Sequence, residues 1–389
     1  MNVREFQAVA VEAGFKGAGK PDVALIYSRL PCNAAALFTR NLVAAAPVLL
    51  GREQLARGAK LSGVFINSKN ANAVTGAQGL ADARQTAVWL DEQLGGDFLV
   101  MSTGVIGVPL PMDKIRLGVE RVAAAVRSGE NDPQGSARAI MTTDTHPKTA
   151  ETAIDLQGVR IHLWGVAKGA GMIHPDMATM LSVIATDVAA TPEQLDRALR
   201  RACDTSFHCI SVDGDTSTND TLVLLANGAS GQTLLTGDEP AFEAALADVC
   251  QQLARQVAFD GEGAKHHVTL EVEGCRDAAE ARQIGRTIIT SPLVKTAIYG
   301  RDANWGRVLA AAGRSGVEFD PIQADLWFGP LELMRSGTPV PFDEARARAI
   351  LSALALNIRL RVGAGPGRCT LWTCDLTEEY IAINADYRT

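Results

Sequence analysis

A layered α/β body is the fold class that this chain predicts, and three observations predict it. Short apolar segments bounded by Gly, Pro and Asp alternate with apolar stripes at helical spacing along the chain. Hydrophobic residues make up 47% of the sequence and charged ones 21%, ordinary globular values that argue against disorder. At 389 residues the chain exceeds the size at which one core usually keeps growing, so two packed lobes are expected.

Punctuated apolar segments predict strands around Ala8 to Glu12, Val23 to Tyr27 and Ala34 to Phe38, followed by a helix. Val64 to Asn67 reads as a buried strand ending in a polar loop, and Leu80, Ala83, Ala87, Leu90 and Leu94 then recur at helical spacing. Phe98 to Met101 is a strand that delivers Thr103 and Gly104 at its carboxyl end. Ile115, Val119, Val122 and Val126 mark the next helix. Met180 to Ala185 is an apolar strand, and Thr191, Pro192 and Gln194 spell a capping box that starts a helix. Phe242, Leu246, Val249, Leu253 and Val257 form a further stripe ending at Asp260-Gly-Glu-Gly263. Val268, Leu270 and Val272 then alternate as in a half-buried strand. Pro111 and the segment from Gly231 to Pro240 read as surface connections. Strand order is not fixed by any of this, and no internal repeat or low-complexity segment is present.

Composition narrows the function classes. A net charge of -7 and a pI near 5.5 disfavour a general nucleic-acid or anionic-membrane surface, which leaves small soluble partners. The first residues lack a basic region followed by an apolar run, and no stretch approaches the roughly 18 uncharged apolar residues of a spanning helix. A cytosolic protein is the expectation. Seven scattered cysteines without a C-x-x-C pair suit reduced core thiols better than a disulfide framework or a zinc site, so no metal is expected.

The run Lys168-Gly-Ala-Gly-Met-Ile-His-Pro-Asp-Met-Ala-Thr-Met-Leu181 places Thr179 where a glycine-containing turn meets an apolar strand. Gly169 and Gly171 allow backbone angles that other residues resist, and Pro175 pins the approach. Attack of the Thr179 hydroxyl on the Ala178 carbonyl would break the chain there and leave threonine as a new N-terminus. A free α-amine titrates near roughly 7.7 to 8.0, so it can serve as general base for its own hydroxyl. Taken alone, the same residues also fit a plain turn leading into a strand.

That run resembles the self-cleavage segment of the glutamate N-acetyltransferase family, also called ornithine acetyltransferase, of arginine biosynthesis. The resemblance extends over nearly the whole chain through Asn67-Ser-Lys-Asn-Ala-Asn72, Ser102-Thr-Gly-Val-Ile-Gly107, Met141-Thr-Thr-Asp-Thr145, Val212-Asp-Gly-Asp-Thr-Ser-Thr-Asn-Asp220, Phe259-Asp-Gly-Glu-Gly263, Asn304-Trp-Gly-Arg307 and Ile383-Asn-Ala-Asp-Tyr-Arg-Thr389. It departs from the family at Lys69, Val74, Asp176 and Ala303, none of them a proposed chemical group. The resemblance implies an αββα sandwich of the N-terminal-nucleophile type with a smaller C-terminal lobe from about residue 280. It also implies a cut into pieces 1-178 and 179-389, both contributing to one site, and an α2β2 assembly.

The activity it implies is acetyl transfer from N2-acetylornithine to L-glutamate through acetyl-Thr179, with no metal or redox cofactor. Members with and without acetyl-CoA as a second donor share these residues, and the dual activity, with acetyl-CoA as co-substrate, is the expectation carried here. Thr103 and the Gly104 amide, at a strand end, are the candidate oxyanion donors. Thr142, Lys168, Thr179, Glu262, Asn384 and Thr389 match the family's substrate-binding positions. Lys168 is the cation for an α-carboxylate, Glu262 the partner of the ornithine ammonium or an aid to proton transfer, and the tail carrying Asn384 and Thr389 folds back over the site. The Asn67 to Asn72 and Asn304 to Arg307 segments read mainly as structural loops. Two rival readings remain at this level: a self-cleaving amidohydrolase or aminopeptidase with water as acceptor, and a non-catalytic binding protein.

Overall fold

A computed structural model describes residues 1–174 and 180–386. Strands β1 (Phe6–Val11), β2 (Val23–Phe38), β3 (Leu61–Asn67), β4 (Asp97–Ser102), β5 (Lys148–Leu156), β6 (Val159–Lys168) and β7 (Leu181–Thr186) precede a two-residue β8 (Ile210–Ser211). With β9 (Thr221–Ala226), the first seven form an eight-stranded sheet in the order β4-β3-β2-β9-β7-β6-β5, and β1 pairs with β2.

The expected strands Val23 to Tyr27 and Ala34 to Phe38 prove to be one strand. Its pairing with β3 shifts between Tyr27 and Cys32, around Pro31. Proline supplies no ladder donor and reads as a break, but its fixed φ suits an extended chain, and the irregular register absorbs the missing bond. The first half of β2 pairs with β1 and β3, and the second half with β9.

This shared strand lets the sheet fold over on itself. Ala24, Ile26, Val64, Ile66, Leu99 and Met101 from one half lie in a single buried cluster with Trp164, Val166, Leu181, Val183, Val223 and Leu225 from the other. The alternate residues face outward, as the period of two requires. Leu25, Phe65 and Phe98 pack with Leu90, Ile115, Val119 and Val122 of the helices Gly76–Leu94 and Met112–Ser128. Leu163, Ile184, Leu222 and Leu224 join Leu195, Leu199, Val249 and Leu253 of the helices Pro192–Asp204 and Glu239–Phe259. Helix, sheet, sheet and helix therefore stack as an αββα sandwich.

Local chemistry starts the helices where the sequence indicates. Thr191 and Gln194 form both halves of the capping box. Asp132, which the sequence reading left aside, accepts the Gly135 amide at the start of Pro133–Ile140. Pro111 is the last residue of the connection after β4 and the N-cap of the helix Met112–Ser128. Glu239 and Pro240 belong to a helical first turn, so the connection from Gly231 ends at Asp238. The β5–β6 hairpin, which periodicity did not reveal, turns on Gln157 and Gly158 at φ of 51° and 82°, the left-handed pair of a two-residue turn.

The remaining strands, β10 (His267–Gly274), β11 (Asp325–Phe328), β12 (Leu331–Arg335), β13 (Thr338–Pro339), β14 (Ala355–Arg361) and β15 (Gly365–Cys374), form a second sheet with β8 in the order β13-β12-β11-β14-β10-β15-β8. Strand β14 alternates strictly between exposed and buried residues, so this sheet keeps one wet face.

Candidate active site

Strand ends converge at one end of the sandwich. Lys168, the last residue of β6, is paired with Leu181 at the start of β7, and Leu181 is paired with Thr221 at the start of β9. Thr103 and Gly104 follow Ser102, where β4 stops beside Asn67 of β3. Between these ends lies a cleft of about 330 Å³ whose lining includes Thr103, Gly104, Thr142, Lys168, Glu262 and Asn384. Six predicted residues, spread from position 103 to position 384, thus meet in one place. Ala178, Thr179 and Thr389 lie outside the described residues, as does Asp176. Met180 and Leu181, next in the chain after Thr179, line the same cleft.

The glycines are dictated by close approach. Gly104 has φ of 137°, and a Cβ there would fall 2.1 Å from the Lys69 carbonyl carbon. A Cβ on Gly171 would fall 2.4 Å from the Glu262 carboxyl. The loop Asn67 to Asn72 buttresses the Thr103 turn. The Asn67 carbonyl accepts from the Thr103 amide at 3.1 Å, the Lys69 carbonyl accepts from Val105, and the Ser102 hydroxyl donates to Asn67 Oδ1 at 2.7 Å. Asn304, by contrast, caps the helix Trp305–Gly313, and neither it nor Arg307 lines the cleft.

Lys168 donates from Nζ to Thr103 Oγ1 at 3.3 Å. A hydroxyl that accepts a bond from an ammonium keeps its own hydrogen for another acceptor. The lysine is buried, which pushes its pKa down against the opposing pull of Asp144. Glu262 is fixed from both sides: its amide donates to the Ala170 carbonyl at 3.0 Å, and Asn384 Nδ2 donates to its Oε2 at 2.7 Å. The C-terminal helix Glu378–Asp386 therefore reaches the cleft through Asn384.

Several site residues escaped the sequence reading. Asn219 Nδ2 donates to the carbonyls of Ala71 at 2.6 Å and Ser102 at 2.8 Å, tying β9's approach to the Thr103 turn. Asp220 lines the cleft, and burial pushes its carboxyl well above the usual carboxylate range. Asp213 accepts the amides of Met172 at 2.6 Å and Ile173 at 2.9 Å, anchoring the arm that leads toward residue 179. The Val212 to Asp220 motif was the available signal for all three, but nothing local assigns its partners.

An αββα scaffold with hydroxyl, lysine, carboxylate and amide groups turned into one cleft defines a class of enzyme built for polar small molecules. Comparison with known proteins narrows the class. The model of the ArgJ family matches residues 7–389. The arginine biosynthesis bifunctional protein ArgJ of Symbiobacterium thermophilum is 48% identical over 382 residues, covering 96% of this chain and 94% of its own. Its namesake in Geobacter sulfurreducens is 46% identical over 396 residues, covering both chains completely. The crystal structure of the Bacillus halodurans arginine biosynthesis bifunctional protein argJ superposes with a TM-score of 0.50 at 40% identity, over 52% of this chain and 96% of that one. The chain belongs to the ArgJ family.

Proposed function

We propose that the protein transfers the acetyl group of N2-acetylornithine to L-glutamate, in arginine biosynthesis, by a two-step exchange through an acetyl ester on Thr179. Family membership supports acetyl transfer and does not favour hydrolysis or simple binding. The observation that carries the residue assignment is the convergence of Thr103, Gly104, Thr142, Lys168, Glu262 and Asn384 on one cleft, beside the strand that begins two residues after Thr179.

In this reading the chain first cuts itself between Ala178 and Thr179, giving pieces 1-178 and 179-389. The freed α-amine takes the hydroxyl proton as Thr179 attacks the acetyl carbonyl. The Gly104 amide and the Thr103 hydroxyl, released for donation by its bond from Lys168, hold the developing oxyanion. Ornithine leaves with the proton, and the glutamate amine attacks the ester in the reverse geometry. Lys168 meets the α-carboxylate common to both substrates. The carboxylate favours the charged lysine and so counters the desolvation of its buried site. Glu262, steadied by Asn384, faces the ornithine side-chain ammonium, and Thr142 and the Thr389 end of the tail complete the pocket. Acetyl-CoA enters as a second donor, and no resident cofactor takes part. The last hundred or so residues, from about residue 280, serve as a smaller lobe, and the pieces assemble as α2β2.

Thr179→Ala tests the first step. It should give a single uncut band in denaturing electrophoresis and no acetyl transfer, whereas Thr179→Ser should keep some of both. Two fragments from the alanine variant would mean that an outside protease makes the cut.

A further inference from the structure

One buried ammonium stands behind the cleft. Lys148 is 1% exposed, and its Nζ lies 2.7 Å from Asp144 Oδ1 and 2.6 Å from Asp260 Oδ2. Each carboxylate holds a different wall. Asp144 accepts the Thr142 amide at 3.0 Å and the Gly169 amide, immediately after Lys168, at 2.6 Å. Asp260 accepts the Thr145 amide at 2.9 Å and sits two residues before Glu262. Thr142, Lys168 and Glu262 come from three separate segments; the Glu262 amide bonds the Ala170 carbonyl directly, and the Asp144–Lys148–Asp260 array joins all three.

We propose that Lys148 is a positioning residue for the cleft, whose pairing with Asp144 and Asp260 fixes Thr142, Lys168 and Glu262 at the spacing their shared substrate requires. The inference rests on reading the cleft as the acetyl-transfer site. A paired, fully hydrogen-bonded ion array costs more desolvation than an apolar filling of the same space, so a role in geometry accounts for it better than stability does. The array also governs Lys168 electrostatically. The charged groups facing Lys168 are Asp144, Lys148, Glu262 and Asp220, and Lys16 lies near the same group of charges. Lys148 disfavours the protonated form of Lys168, and Asp144 favours it.

The test uses the charge-balanced double variant Lys148→Met/Asp260→Asn beside Asp144→Asn, with kcat, KM and pH profiles for N2-acetylornithine and glutamate, and circular dichroism to confirm folding. Loosened positioning should raise KM for both substrates by about tenfold. The alkaline limb of kcat/KM should move to higher pH in the double variant, which removes a like charge from Lys168, and to lower pH in Asp144→Asn, which removes an opposite one. A folded double variant with unchanged KM and an unmoved limb overturns the proposal. Should the double variant fail to fold, Asp260→Asn alone decides: it keeps the Lys148–Asp144 pair, is expected to raise KM, and overturns the proposal if KM stays at the wild-type value. Wild-type protein that shows no acetyl transfer would sink the functional reading first, an outcome distinct from normal transfer that is indifferent to the array.

Discussion

Lys168 concentrates the residue-scale argument. Pairing of β6 with β7 places it at the strand end, where it is buried and reaches Thr103 in the turn after β4. A solvated lysine titrates near roughly 10.4, and burial lowers that value here, so its charge is lost at a lower pH than a surface lysine's. The sign follows directly. In the proposed role of Lys168, carboxylate binding is strong below the lowered pKa and weakens as pH rises through it, so KM for both substrates should climb on the alkaline side. Lys168→Ala should raise KM at neutral pH and abolish that climb, as steady-state kinetics across pH would show; unchanged values would reassign the lysine to packing. The motif before the glycine turn and the family resemblance single out this lysine, but its contact with Thr103 depends on two segments 65 positions apart.

Among the elements, the helix Pro192–Asp204 shows how much a local signal can fix. Its capping box and Pro at the first position are legible in sequence, because each involves neighbours within one turn, and the structure adds the buried stripe of Leu195, Ala198, Leu199 and Ala202. Thr191→Ala should therefore lower unfolding stability by about 1 kcal/mol, read from the denaturant midpoint, without altering KM. Strand β2 shows the opposite case. Proline at position 31 locally reads as a stop, yet partners on both sides, β1 and β3 early and β9 late, hold the chain extended through it. The β5–β6 hairpin was likewise silent, since its residues mix exposures without a clean period of two.

At the level of the whole molecule, the proposed cut falls inside the main sheet's connectivity. Strands β7 and β9 would belong to the second piece, yet they lie between β2 and β6 of the first. Separating the pieces would break the β2–β9 and β6–β7 ladders and open the buried cluster shared by Ile26, Val166, Val183 and Leu225. The expected outcome is two bands of 178 and 211 residues in denaturing electrophoresis of this 389-residue chain, but a single species in native size-exclusion chromatography. Fragments that separate without denaturant would contradict the shared sheet. Light scattering of that species tests the α2β2 assembly.

Chemical identity is what the chain's local patterns carry. The Thr103-Gly104 turn, the glycines around Lys168, Glu262 between its glycines and the capping box at Thr191 are local patterns, and the chain's motifs resemble those of the glutamate N-acetyltransferase family. Adjacency comes from packing: the folding of one sheet over itself through β2, the meeting of strand ends at the cleft, and the Asp144–Lys148–Asp260 array. An ion pair spanning 112 positions leaves no period or spacing to read. Its partners are selected only when burial removes water and brings the opposite charges together, a condition set by the packed molecule and not by any stretch of chain.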